Sequence, residues 1–108
     1  MSLDLPGPIC DYFSADKGDS ELFGRCFAED ATVRDEGQTY TGVAAIKQWR
    51  AHAQQKYGYT IEPLASAEED GKTVVTCRLT GSFPGSPIEV QFVFGIGGSK
   101  IKSLYIHS

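Results

Sequence analysis

The chain predicts an α+β domain, with three N-terminal helices packed on the concave face of a strongly curved, mainly antiparallel sheet. Two observations carry this. Apolar residues recur at helical spacing as far as Gly58, and from Tyr59 onward the period changes from 3.6 to 2. The second half is also cut by turn sequences, Asp70-Gly71, Pro84-Gly85-Ser86-Pro87 and Gly97-Gly98-Ser99. A chain of this order must lay its helices on one face of the sheet, since both layers have apolar surface to bury. Three helices on one face of a strongly bent sheet enclose a cone, and the open end of the cone is a pocket.

The elements follow in order. Pro8 suits the first position of a helix whose apolar face is Ile9, Tyr12 and Phe13, and Gly18 is placed to stop it. Asp19 or Ser20 caps a second helix, with Glu21 in its first turn and Leu22, Phe23, Cys26 and Phe27 on its apolar face. Residues 31–36 alternate, so Ala31, Val33 and Asp35 share one side and Thr32, Arg34 and Glu36 the other. Gly37 breaks this strand, and Gln38-Thr39-Tyr40 forms a short second one. Thr41 then caps the longest helix, where Val43, Ile46, Trp49 or Arg50, Ala53 and Tyr57 make a stripe that ends at Gly58. Four strands are expected at 59–68, 72–83, 88–96 and 100–107. In the third of these Val90, Phe92 and Phe94 face one way. In the last, Leu104 and Ile106 face one way and Ser103, Tyr105 and His107 the other.

Bulk properties exclude several functions. A chain of 108 residues is one domain, 1–108, with 41% hydrophobic content and no linker or repeat. The net charge of −4 and the absence of a Lys/Arg stripe argue against nucleic acid as a partner. No apolar run reaches the roughly 18 residues of a membrane span, and the N-terminus lacks a signal-like pattern, so a cytoplasmic protein is expected. Cys10, Cys26 and Cys77 show no C-x-x-C spacing and read as reduced, buried thiols. Neither a metal ligand set nor a Ser-His-Asp arrangement can be drawn, and no cofactor is expected.

Phe27-Ala28-Glu29-Asp30-Ala31-Thr32-Val33-Arg34-Asp35, with Lys17-Gly18-Asp19 before it and Gly42-Val43-Ala44-Ala45-Ile46 and Trp49 after it, resembles the NTF2-like superfamily. Within it the likeness is to the SnoaL-like and ketosteroid isomerase-like branch, over nearly the whole chain. The resemblance implies the cone fold, a small-ligand cavity and a two-fold homodimer through the outer face of the sheet. It also implies that Asp35 matches the general base that shuttles a proton beside a ketone. The other catalytic positions differ. The isomerases' oxyanion-hole tyrosine falls at Asp11, with Tyr12 one position away, and their neutral aspartic acid falls at Val90. In the isomerases these two donors together hold the enolate oxygen. Losing both removes that stabilisation, so steroid isomerisation is not expected.

Asp35 is thus the candidate general base, placed on an apolar strand face where desolvation makes it usable near neutral pH. The bland alternative is an acid at a strand end, hydrogen-bonded to the following turn. Tyr12, Phe27, Val33, Trp49, Val90, Phe92, Leu104 and Ile106 are expected to line the pocket. Trp49 either floors the cavity or packs in the core, and Tyr12 either meets a ligand carbonyl or is an ordinary core aromatic. His52 and His107 read as solvated or interface histidines rather than catalysts. Two functions follow. One is a pocket for a small, carbonyl-bearing metabolite with cofactor-independent isomerase, cyclase or hydratase-type proton transfer at Asp35. The other is a non-catalytic dimeric binding or accessory module whose cone is filled by side chains.

Overall fold

The computed structural model describes residues 5–15 and 20–107, with the side chain of Ser20 left aside. Helices α1 (Gly7–Ala15) and α2 (Ser20–Arg25) precede strands β1 (Phe27–Asp35) and β2 (Gln38–Thr41), and the long helix α3 (Val43–Tyr57) follows. Strands β3 (Thr60–Glu69), β4 (Lys72–Thr80), β5 (Ile88–Gly97) and β6 (Lys100–His107) complete a six-stranded sheet of order β2-β1-β6-β5-β4-β3. Every pairing is antiparallel except β1 with β6, which is parallel and closes the sheet around the helices. The α+β architecture expected from the sequence is the one observed. The proposed stop at Gly18 and the Asp19 cap lie outside the described residues.

Curvature has a local cause. Registers shift between Phe27 and Thr32, Pro63 and Ala65, and Gly95 and Ile96, and each irregularity bends its strand. At Gly95 a β-carbon would collide with the Ser103 hydroxyl, so any other residue there would force that side chain aside. The β3–β4 hairpin turns through Asp70 (φ 52°) and Gly71 (φ 77°), the two positive values that the strand twist favours. Gly58 ends α3 in the left-handed region, and its N–H donates to the Gln54 carbonyl at 2.8 Å.

The core fills the narrow end of the cone. Ile9, Tyr12 and Ala15 of α1, Phe23 of α2 and Ile46 of α3 are fully buried against Val33, Val75, Phe94 and Ile101 of the sheet. Tyr12 is the hub of an aromatic nest, with the rings of Phe13, Phe23, Phe27, Phe92 and Phe94 centred 5.2–6.1 Å away.

Local expectations are corrected in four places. Phe27 is not on the face of α2, which ends at Arg25. The Cys26 carbonyl instead accepts from the Ile101 N–H at 2.7 Å, and Phe27 pairs with Ile101 as β1 begins. Thr41 does not cap α3, because it still pairs with Thr32. The N-cap is Gly42, whose φ of 90° makes the turn while its N–H is tied to the Ala31 carbonyl. β4 stops at Thr80, short of residue 83, where the Ser82 N–H donates to the Tyr57 carbonyl at 2.8 Å and the chain leaves the sheet. Cys10 is exposed, turned away from the face that buries Ile9 and Tyr12; Cys26 and Cys77 are buried thiols, their pKa values pushed by burial to about 11 and about 12. No described helix is long and apolar enough to cross a membrane.

Candidate functional site

Asp35 closes β1 at a two-residue turn. Glu36 and Gly37 take φ values of 53° and 76°, and Asp35 pairs with Gln38 across the hairpin. A positive φ costs Gly37 little but strains Glu36, which has a β-carbon. Strand alternation turns Asp35 to the same face as Ala31 and Val33, both fully buried. α3 crosses this face and brings Trp49 to the acid. The indole Nε1–H donates to Asp35 Oδ2 at 3.1 Å. Burial is the largest influence on the Asp35 carboxyl and holds its pKa above the ordinary carboxylate value. The Trp49 bond and a backbone hydrogen bond from Glu36 pull it down, while the charge of Glu36 pushes it up.

Asp35 and Trp49 stand in the wall of an open cavity of about 1500 Å³. That exceeds the roughly 300–1,000 Å³ usual for small-molecule sites, much of the excess being a wide mouth. Burial sorts the lining by depth. Tyr12, Trp49, Val90 and Phe92 are buried and form the deep end. Exposed groups at the mouth include His52 and Lys56 on α3, Pro84 and Ile88 around the β4–β5 loop, and His107 at the end of β6.

The residues expected at the pocket divide along the sheet register. Asp35, Tyr12, Trp49, Val90, Phe92 and Ile106 line the cavity; Phe27, Val33 and Leu104 do not. Phe92 pairs with Ile106, and this rung faces the cavity. One rung further in, Phe94 pairs with Leu104 and Leu104 with Val33, and all three are buried in the core at 0–1% exposure. Phe27, deeper still, packs its ring on Phe23 and Tyr12. The helices close over these inner rungs, so facing inward is not the same as facing the cavity. On α1, Tyr12 is the residue turned inward, fully buried behind the cavity wall, and Asp11 is exposed.

Sequence reasoning missed several lining groups. Ala45, Gln48, His52 and Lys56 recur around Trp49 at helical spacing along α3, on a stripe that runs beside the apolar one and could have been found by the same periodicity. Phe83 gave no local signal. It reaches the cavity because the β4–β5 loop docks on the end of α3, where its ring meets Tyr57 edge-on at 5.8 Å. Charges at the rim are engaged with neighbours. Lys56 Nζ lies 5.1 Å from the Tyr57 ring centre, and the Tyr57 hydroxyl donates to Glu36 at 3.5 Å. Arg34 lies 5.8 Å over Tyr105, whose ring is 5.0 Å from that of His107. Among the described residues, no three His, Cys, Asp or Glu side chains gather as a metal ligand set.

The SnoaL-like domain family matches residues 11–102. The chain belongs to that family. A proposed polyketide cyclase from Sinorhizobium meliloti is 38% identical, with 99% of each chain covered and a TM-score of 0.95. A hypothetical protein with a ketosteroid isomerase-like fold from Catenulispora acidiphila, solved in complex with trimethylamine, is 20% identical over 97% of this chain and 87% of its own, at a TM-score of 0.81. A second proposed polyketide cyclase, from Xanthomonas campestris, is 16% identical over 94% of this chain and 87% of its own, at 0.80. The last two likenesses establish the fold alone. No functionally curated protein matches the sequence. The three-helix, curved-sheet cone of this SnoaL-like chain is the fold that the sequence resemblance implied.

Proposed function

We propose that the cavity binds a small, largely apolar, carbonyl-bearing metabolite and that Asp35 is the general base for a cofactor-independent proton transfer of the isomerase, cyclase or hydratase kind. One observation carries the reading: a desolvated carboxylate with a raised pKa stands in the wall of an open, aromatic-lined cavity. The S. meliloti protein supports it as a cyclase by proposal. In the simplest cycle Asp35 takes the proton from a carbon next to the ligand carbonyl, the C–H electron pair forms a C=C bond, and the C=O π pair moves onto the oxygen. The protonated acid then returns the proton at the same or a neighbouring carbon. Val90 has no donor for that oxygen and Asp11 faces solvent, while Gln48 and His52 are among the polar groups of the cavity wall that could meet it.

Cyclic ketones and enones dissolved in D₂O with the protein test this. Binding should quench the fluorescence of Trp49, the single tryptophan, and deuterium should enter the carbon next to the carbonyl, seen by proton NMR. Binding without exchange would favour the second reading, a ligand-binding or accessory module, which the missing donor at Val90 already supports. Absence of binding across such a panel would sink both.

The partner proposal is a homodimer through the outer face of the sheet. Ala67, Val74, Val93 and Tyr105 lie side by side in register there, and Tyr105 is 47% exposed. Sedimentation equilibrium should return twice the chain mass; a monomer at micromolar concentration would remove this proposal.

A further inference from the structure

We propose that Trp49 is a positioning residue for Asp35, whose single N–H clamps one carboxylate oxygen and so fixes the direction from which the carboxyl meets a ligand proton. The proposal rests on the reading of Asp35 as the reactive group, but the clamp itself exists in the free protein.

The geometry carries it. An indole has one donor, and here that donor is committed to Asp35 Oδ2 at 3.1 Å, so Trp49 is not available to orient a ligand carbonyl. The ring is held on its own account. Trp49 is 6% exposed, follows fully buried Ile46 by one turn of α3, and lies beside the Tyr40 ring of β2 at 6.1 Å with the planes 35° apart. A donor fixed from two elements fixes its acceptor. On the other side the strained Glu36 turn supplies a backbone hydrogen bond to the same carboxyl.

The chemical identity of the clamp matters as much as its place. A lysine or arginine partner would pair with the carboxylate and lower its proton affinity below a useful range. A histidine could take the proton itself. Indole does neither: it stabilises the anion and does not titrate. The charged groups around Asp35 conform to this. Among the described residues none forms a salt bridge with it; Arg34 is directed to Tyr105, Lys56 to Tyr57, Tyr57 to Glu36, and His52 is exposed at the mouth. Glu36, the like-charged neighbour, and burial both favour the protonated acid, so the Trp49 N–H is the main side-chain contact that favours the anion.

Because Trp49 is the single tryptophan, its N–H can be removed without altering packing. Replacing it in a tryptophan auxotroph by benzothienylalanine, which has sulfur in place of N–H, keeps the ring's shape, and Trp49→Phe provides the encoded counterpart. The side-chain carboxyl carbon of Asp35 is then titrated by ¹³C NMR in the free protein. Loss of a hydrogen bond to a charged group should raise its proton affinity about tenfold to a hundredfold. In the wild type, the indole N–H resonance should titrate with the same midpoint as that carboxyl, and this coupling should vanish in Asp35→Asn. An unchanged Asp35 midpoint in the benzothienyl protein, or an indole signal that does not follow Asp35, overturns the proposal. That outcome leaves the ligand and exchange tests above standing, and their failure would leave a measured clamp in place, so the two readings fail separately.

Discussion

Asp35→Asn is expected to lose 10²–10⁴-fold in proton exchange while folding at least as stably as the wild type at pH 7. Asparagine has nearly the same shape, retains an oxygen for the Trp49 N–H and leaves the cavity wall intact, but it cannot accept the substrate proton. The expected stability follows from the direction of the pKa shift. Burial raises Asp35 above its unfolded value, so the folded protein binds this proton more tightly than the unfolded chain does. A raised carboxyl contributes stability that is present in full below the unfolded value and is lost as pH rises through the folded one. At neutral pH the ionised acid therefore weighs against the fold, and the neutral amide relieves it. Urea midpoints of both proteins at pH 7 and near pH 4.5 should show the wild type gaining on the variant as pH falls. A variant that is clearly less stable at pH 7 would instead mark Asp35 as a structural anion holding its turn.

The largest loss of stability is expected at Phe94→Ala, about 3–5 kcal/mol. Phe94 is fully buried and its ring packs on those of Tyr12, Phe13 and Phe92 at 5.4–6.1 Å. It also pairs in register with Leu104, on the rung below the cavity, so neither solvent nor the cavity can take up the space it vacates. Such a loss is a fifth or more of the roughly 5–15 kcal/mol that holds an ordinary domain folded. Equilibrium urea unfolding should show a lower midpoint with the slope unchanged. A loss under about 1 kcal/mol would mean that the aromatic nest repacks freely and does not determine the core.

Much of the fold was legible in the amino-acid sequence, for reasons that are local. Asp70-Gly71 and Gly58 announce their turn and cap because few residues tolerate positive φ. Alternation in β5 and β6 assigned Val90, Phe92, Leu104 and Ile106 to the concave side, because side chains in a strand can only alternate. Thr41 misled for an equally local reason: it is a good capping residue, but its backbone is still engaged with Thr32 on the neighbouring strand.

The sequence by itself determined the class of fold, the faces of its strands and the presence of one acid, Asp35, on the apolar side of a strand. Tertiary structure alone decided which inward residues meet the cavity and what Asp35 touches. Those answers depend on the register between β1, β5 and β6, on a parallel pairing of strands far apart in the chain, and on where α3 crosses them. The Trp49–Asp35 hydrogen bond joins residues 14 positions apart on two different elements. No periodicity in either element encodes that meeting; it exists because the packed core holds helix and strand at one separation.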